Sequence, residues 1–132
     1  MEIRQVYETE LASVLDLIDE YDRDLSPRPA DEELQRIFGS ILHSGGVVGA
    51  ITDDGMVGTC TVNICANLSW SGRPYAIIEN VIVSKAYRKQ GIGHAILRYA
   101  AEFAQQAGCY KVVLITCSKV PLDTHVLRVF RF

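Results

Sequence analysis

The sequence predicts a single α/β domain: a mixed, mostly antiparallel sheet flanked by helices. Three observations carry this. Apolar residues make up 48% of 132 positions, enough for one ordinary core. The pattern reads strand, helix, helix, hairpin, strand, helix, strand. A hairpin followed by a strand–helix–strand unit places antiparallel and parallel pairs in one sheet.

Each element has its own signal. Residues Glu2 to Val6 read as a first strand. Glu10 to Asp19 reads as a helix, with Leu11, Val14, Leu15 and Ile18 on one face. The stretch "YDRDLSPRPA" breaks it with two prolines and several polar residues. Asp31 is expected to cap a second helix, whose stripe is Leu34, Ile37, Phe38, Ile41 and Leu42, ended by Gly45 and Gly46. Two β-branched runs flank Asp54-Gly55, a tight-turn signal for a hairpin. The loop "SWSGRP" leads to "YAIIENVIV", the most apolar strand. A helix from about Gly91 to Ala107 is expected to bury Ile92, Ile96, Tyr99, Ala100 and Phe103, with Gly108 as its stop. "CYKVVLITC" is the next strand. The tail "SKVPLDTHVLRVFRF" fits no element cleanly; set against the chains this sequence resembles, named below, its C-terminal strands are expected to be missing. No repeat or linker divides residues 1–132.

Several function classes are disfavoured. Net charge is −3 with both signs interspersed, which gives no footprint for nucleic acid. "MEIRQVYETE" lacks the apolar region of a signal peptide, and no apolar run approaches ~20 residues, so no membrane partner is expected. Cys60, Cys65, Cys109 and Cys117 form no C-x-x-C pair and read as reduced thiols of a cytoplasmic protein; Cys60 and Cys65 should face opposite ways. His43, His94 and His125 lack metal-ligand spacing, so no metal site is expected.

The chemistry concentrates where the apolar strand becomes a helix, at "ENVIVSKAYRKQGIGHAIL". A helix start offers unpaired N–H groups and partial positive charge, a natural seat for phosphate. Glycine permits close backbone approach, and arginine adds a forked cation. The dinucleotide fingerprint fails because its third glycine position is Ile96, and the phosphate loop ending in G-K-[ST] is absent. What remains is [RQ]-x-x-G-x-[GA], here Arg88-Lys89-Gln90-Gly91-Ile92-Gly93.

This motif, after an apolar strand and opening an amphipathic helix, resembles the coenzyme A pyrophosphate loop of the GNAT superfamily of N-acetyltransferases. The element order agrees, over roughly residues 1 to 118. The resemblance implies acetyl-coenzyme A as cosubstrate and transfer of its acetyl group to a primary amine, small molecule or peptide N-terminus, by direct attack. It implies that Val81, Ile82 and Val83 offer backbone to the pantetheine arm. It implies that Arg88, Lys89, Gln90, Gly91, Ile92, Gly93 and His94 hold the pyrophosphate, chiefly through amides. It also implies that the fourth and fifth strands splay to admit the thioester.

An amine nucleophile must lose a proton, and Glu79 on the fourth strand is the candidate base. Plain alternation puts Ile77, Glu79, Val81 and Val83 on one face; the competing reading is a glutamate bonded to a neighbouring loop. Cys117 and the charged loop residues Asp22, Arg23, Asp24 and Arg28 are weaker candidates. The tail lacks the tyrosine that protonates the departing thiolate in similar proteins. A coenzyme A-binding module with little turnover, or an interaction subunit, therefore stand as alternatives. An uncovered, apolar fifth strand and the tail's Leu127, Val129, Phe130 and Phe132 suggest a homodimer.

Overall fold

A computed structural model describes residues 1–20, 27–116 and 126–132. Its strands are β1 (Glu2–Gln5), β2 (Gly45–Thr52), β3 (Gly55–Cys65), β4 (Tyr75–Val83), β5 (Lys111–Thr116) and β6 (Val126–Arg131). Its helices are α1 (Leu11–Asp19), α2 (Asp31–Ser44), the one-turn α3 (Ser69–Gly72) and α4 (Ile92–Gln106). The strands form one sheet in chain order, and only the β4–β5 pair is parallel.

Strand alternation divides the core between the two faces. Val48 and Ala50 of β2, Cys60 and Val62 of β3 and Ala76 and Ile78 of β4 pack with Ile92, Ile96, Ala100 and Ala104 of α4. Val47 points the other way, into a smaller cluster with Val6, Val14 of α1 and Phe38 of α2. The α4 stripe therefore runs through Ala104, whereas the larger Tyr99 and Phe103 are half-buried at its flanks. Ile37 of the expected α2 stripe is exposed. Gly58 is the point where α4 comes closest: a Cβ there would lie 2.7 Å from the Ile96 methyl. Helix α4 ends as expected. Gly108 N–H donates to the Gln105 carbonyl at 3.0 Å and Cys109 N–H to Ala104 at 3.1 Å, a Schellman closure.

Four local expectations are corrected. Ala30, not Asp31, precedes the first turn of α2, and no side chain caps it; Asp31, Glu32 and Glu33 instead place three negative charges against the helix dipole. The hairpin closes one residue earlier than read: Thr52 pairs with Gly55, so Asp53 and Asp54 form the turn. The alternation of β4 breaks at a bulge, where Thr61 faces Glu79 but Thr59 faces Ile82. Val81 and Val83 therefore rejoin Ile78 on the α4 face, while Ile77 and Glu79 face the other way.

The tail is the fourth correction. Residues Val126–Arg131 add β6, from Lys111↔Arg131 to Thr116↔Val126 along β5. The edge of β5 that suggested pairing between copies is covered within the chain. Cys117 and the loop residues Asp22, Arg23 and Asp24 lie outside the described residues. Arg28 is described and pairs with Asp19 on the surface. Among the described residues, no helix is long and apolar enough to cross a membrane, and no three His, Cys, Asp or Glu side chains group as metal ligands.

The N-terminal strand is tied to α1 by charge. Arg4 grips Glu10 through two hydrogen bonds, of 2.7 and 3.0 Å, and Tyr7 N–H donates to the same carboxylate at 2.9 Å. The Arg4 hydrogen bonds, foremost, hold the Glu10 carboxyl below its ordinary range. A depressed folded-state pKa gives stability that is complete above the unfolded value and lost as pH falls through the folded one. The side chains remain about a fifth exposed (21% and 22%), so solvent screening limits the gain. Glu10→Gln should cost about 1 kcal/mol at pH 7 in denaturant unfolding. The difference from wild type should shrink as pH drops below ~4.3, the ordinary glutamate value. An unchanged midpoint at pH 7 would show the pair to be inert.

Candidate active site

The site begins where β4 leaves β5. Their parallel pairing spans only three positions, Ala76↔Val112, Ile77↔Val113 and Ile78↔Leu114. Beyond Ile78, β4 continues to Val83 with β3 on one edge and, among the described residues, no strand on the other. The two strands form a wedge that is closed at their N-terminal ends. There Tyr110 N–H donates to the Pro74 carbonyl at 3.0 Å. Arg73 donates to the Gly108 and Cys109 carbonyls at 3.3 and 3.1 Å. Trp70 of α3 stacks on Tyr110 with ring centres 5.2 Å apart.

At the open end, the chain turns through Lys85–Tyr87 and Arg88 into α4. Lys89 (φ 63°) and Gly91 (φ 80°) are both left-handed, an arrangement that bends backbone N–H groups toward a common centre. Arg88 Nε donates to the Val83 carbonyl at 3.1 Å, which holds the guanidinium against the turn. The first helical bond of α4 is Ala95 N–H to Gly91 carbonyl, 3.1 Å, so the amides of Ile92, Gly93 and His94 precede the ladder. No side chain caps this end, and its first turn carries no acidic residue. The contrast with the triply acidic start of α2 is physical: α2 neutralises its own dipole, whereas α4 leaves its positive end open beside Arg88, Lys89 and His94.

A cleft of about 320 Å³ opens here, lined by Val83, Tyr87, Arg88, Lys89, Gly91, Gly93 and others of this turn. Both glycines open onto space. A Cβ at Gly91 would meet nothing within 4 Å, and one at Gly93 only the Val83 methyl at 3.8 Å. Packing therefore does not require glycine at either position; backbone conformation requires it at 91 alone. The turn fits a phosphate-bearing ligand: amides with no partner among the described residues, cationic side chains and a glycine surface that only the Val83 methyl approaches.

The structure brings Arg88, Lys89, Gly91, Gly93 and His94 together at one turn. Sequence reasoning misplaced Glu79. That side chain is exposed rather than enclosed by apolar neighbours, and it makes no hydrogen bond or ion pair among the described residues. It is the first residue beyond the last β4–β5 pair, so it stands at the mouth of the wedge. It sits on the face opposite Ile78, toward α1. Asn80, which follows, is left-handed at φ 54°. The three described cysteines are free thiols. Burial pushes the Cys60 thiol up to about 12, so it is packing rather than a nucleophile.

Sequence reasoning missed the clamp at the closed end. Trp70 and Tyr110 carry no motif, and their pairing depends on Trp70 and Ser71 taking left-handed conformations.

A mixed sheet that parts between its two parallel strands, with a helix packed from one to the other, defines a class, the acyltransferase fold. Comparison with known proteins agrees. The model of the acetyltransferase (GNAT) family matches residues 11–131. A solved protein from Agrobacterium tumefaciens str. C58 superposes with a TM-score of 0.79 at 32% identity, covering 92% of this chain and 85% of that one. A Trypanosoma brucei acetyltransferase structure gives 0.76 at 27% identity, over 99% and 97% of the two chains. The glucosamine 6-phosphate N-acetyltransferase of Trypanosoma brucei brucei is 29% identical over 122 residues, 90% of this chain and 82% of that protein. The chain belongs to the GNAT acetyltransferase family, and its activity is the family's transfer of an acetyl group to an amine.

Proposed function

We propose that acetyl-coenzyme A binds with its pyrophosphate on the amides from Lys89 to His94, next to Arg88. The observation that carries this reading is the uncapped, acid-free start of α4 directly beside a strand edge that is unpaired among the described residues. The backbone of Val81, Ile82 and Val83 supplies that edge to the pantetheine arm, and the wedge beyond Ile78 receives the thioester. The acceptor amine comes from the α1 face. Its nitrogen attacks the thioester carbon, the C–N bond forms and the C–S bond breaks. The surplus proton leaves the nitrogen and ends on the coenzyme A thiol. Glu79, exposed at the mouth of the wedge, takes that proton directly or through water. The named acceptors of relatives, such as glucosamine 6-phosphate, support a primary amine on a small molecule. The free thiols suit a cytoplasmic setting.

A homodimer is part of this reading, with its contact moved from β5 to β6. That strand is now the sheet's outer edge, and Val129, Phe130 and Phe132 are 45%, 53% and 43% exposed.

Gly93 tests the anion turn because structure and function predict opposite signs there. Alanine in a helix is favoured over glycine by up to ~1 kcal/mol, and a Cβ at 93 meets no hard contact. Gly93→Ala should therefore unfold at the same temperature or higher, yet bind acetyl-coenzyme A at least tenfold more weakly by calorimetry. Wild-type affinity in the folded variant would remove the pyrophosphate from this turn.

For the base, Glu79→Gln should lower turnover by ~10²-fold, read as release of free coenzyme A, with affinity for acetyl-coenzyme A unchanged. Undiminished turnover would leave Glu79 a surface residue. Saturable binding without any thiol release by the wild type would favour a binding module instead.

Light scattering at micromolar concentration should give twice the chain mass, and Phe132→Asp should halve it. A monomeric wild type would refute the β6 contact.

A further inference from the structure

A second cleft, of about 580 Å³, lies on the α4 side of the sheet. It is lined by Ile78, His94, Leu97, Arg98, Ala101, Val112, Leu114 and Phe130. Its walls are mostly aliphatic, and its size is that of a small-molecule site. Two features fix its relation to the anion turn. His94 and Leu97 line both clefts, so the two adjoin along α4. Ile78 and Leu114, the last β4–β5 pair before the strands part, stand where this cleft meets the wedge. The groove therefore continues from the place where a thioester carbonyl would rest, along β5 toward Phe130. An acetyl group needs no such room.

We propose that this groove receives the chain of a longer acyl group, so that the protein accepts short- to medium-chain acyl thioesters of coenzyme A as well as acetyl. The proposal rests on the pyrophosphate reading of the α4 turn. From Leu97 to Ala101 the helix rises about 6 Å and from Val112 to Leu114 the strand advances about 7 Å, enough floor for roughly four to six methylenes. The reaction is unchanged: the amine nitrogen bonds to the acyl carbon, the C–S bond breaks, and the nitrogen's proton ends on the thiol. Ala101 sets the depth, because it is the small side chain on the helix wall of the groove.

The test is calorimetric affinity for acetyl-, butyryl-, hexanoyl- and octanoyl-coenzyme A. Each methylene that leaves water for the groove should tighten binding by up to about fourfold until the groove is full. Ala101→Phe should abolish that gain while acetyl-coenzyme A binds as in wild type. Ala101→Leu, a smaller intrusion, should shorten the preferred chain if the larger variant fails to fold. Affinity that stays flat or falls from acetyl to octanoyl in the wild type, with acetyl-coenzyme A still binding, overturns the groove and leaves the anion turn standing. Failure of every thioester to bind, acetyl included, overturns the anion turn and the groove with it.

Discussion

The parallel pairing of β4 with β5 is only three residues long, and the rest of the site follows from that limit. Two strands hydrogen-bonded throughout would leave no edge for a ligand. Two strands unpaired throughout would leave β5 unattached to the sheet. The structure holds one end and frees the other. The Arg73 bonds to the Gly108 and Cys109 carbonyls, the Tyr110–Pro74 bond and the Trp70–Tyr110 stack all lie at the N-terminal ends of the strands. They act like a hinge pin for the wedge. The left-handed Trp70 and Ser71 are conformations that cost energy in residues with a Cβ, and the stack and bonds around them offset that cost.

The open end of the wedge is fixed by packing rather than by hydrogen bonds. Ile92 and Ile96 sit fully in the core, and Gly58 lets α4 lie close on β3. Since α4 cannot shift away from the sheet, its N-terminus is held beside Val83. Gly91 and Lys89 then have to make the reversal from strand to helix in the few residues left, which accounts for two left-handed positions in three. The same requirement that closes the chain onto its core thus leaves the amides of Ile92, Gly93 and His94 ahead of the helical ladder.

How much of this could be read from residues alone follows from the range of the forces. The helices and strands were legible because their apolar periodicities are local. The turn into α4 was legible because Arg88, Gly91 and Gly93 lie within six positions. The face of Glu79 was not, because the bulge at Asn80 is a mismatch between two strands and leaves no period in either. β6 was not legible because its partner sets it. "VLRVFR" has weak alternation of its own and becomes a strand through the edge that β5 presents. The cap of α2 was misread for a simpler reason: Asp31 serves the dipole as well from inside the first turn as from the capping position.

The bulge also separates a charged side chain from apolar ones that plain alternation would have put on one face. Before it, Ile78 faces α4 and Glu79 faces α1. After it, Val81 and Val83 return to the α4 face. An uninterrupted strand would have put Glu79 and Val83 on the same side, with the carboxylate under the apolar wall next to the anion turn. There it would lose hydration against apolar neighbours. One inserted residue keeps the charge of Glu79 on one face of the sheet and the apolar Val81 and Val83 on the other. The left-handed Asn80 is what that division costs, at a residue type that tolerates the conformation better than most.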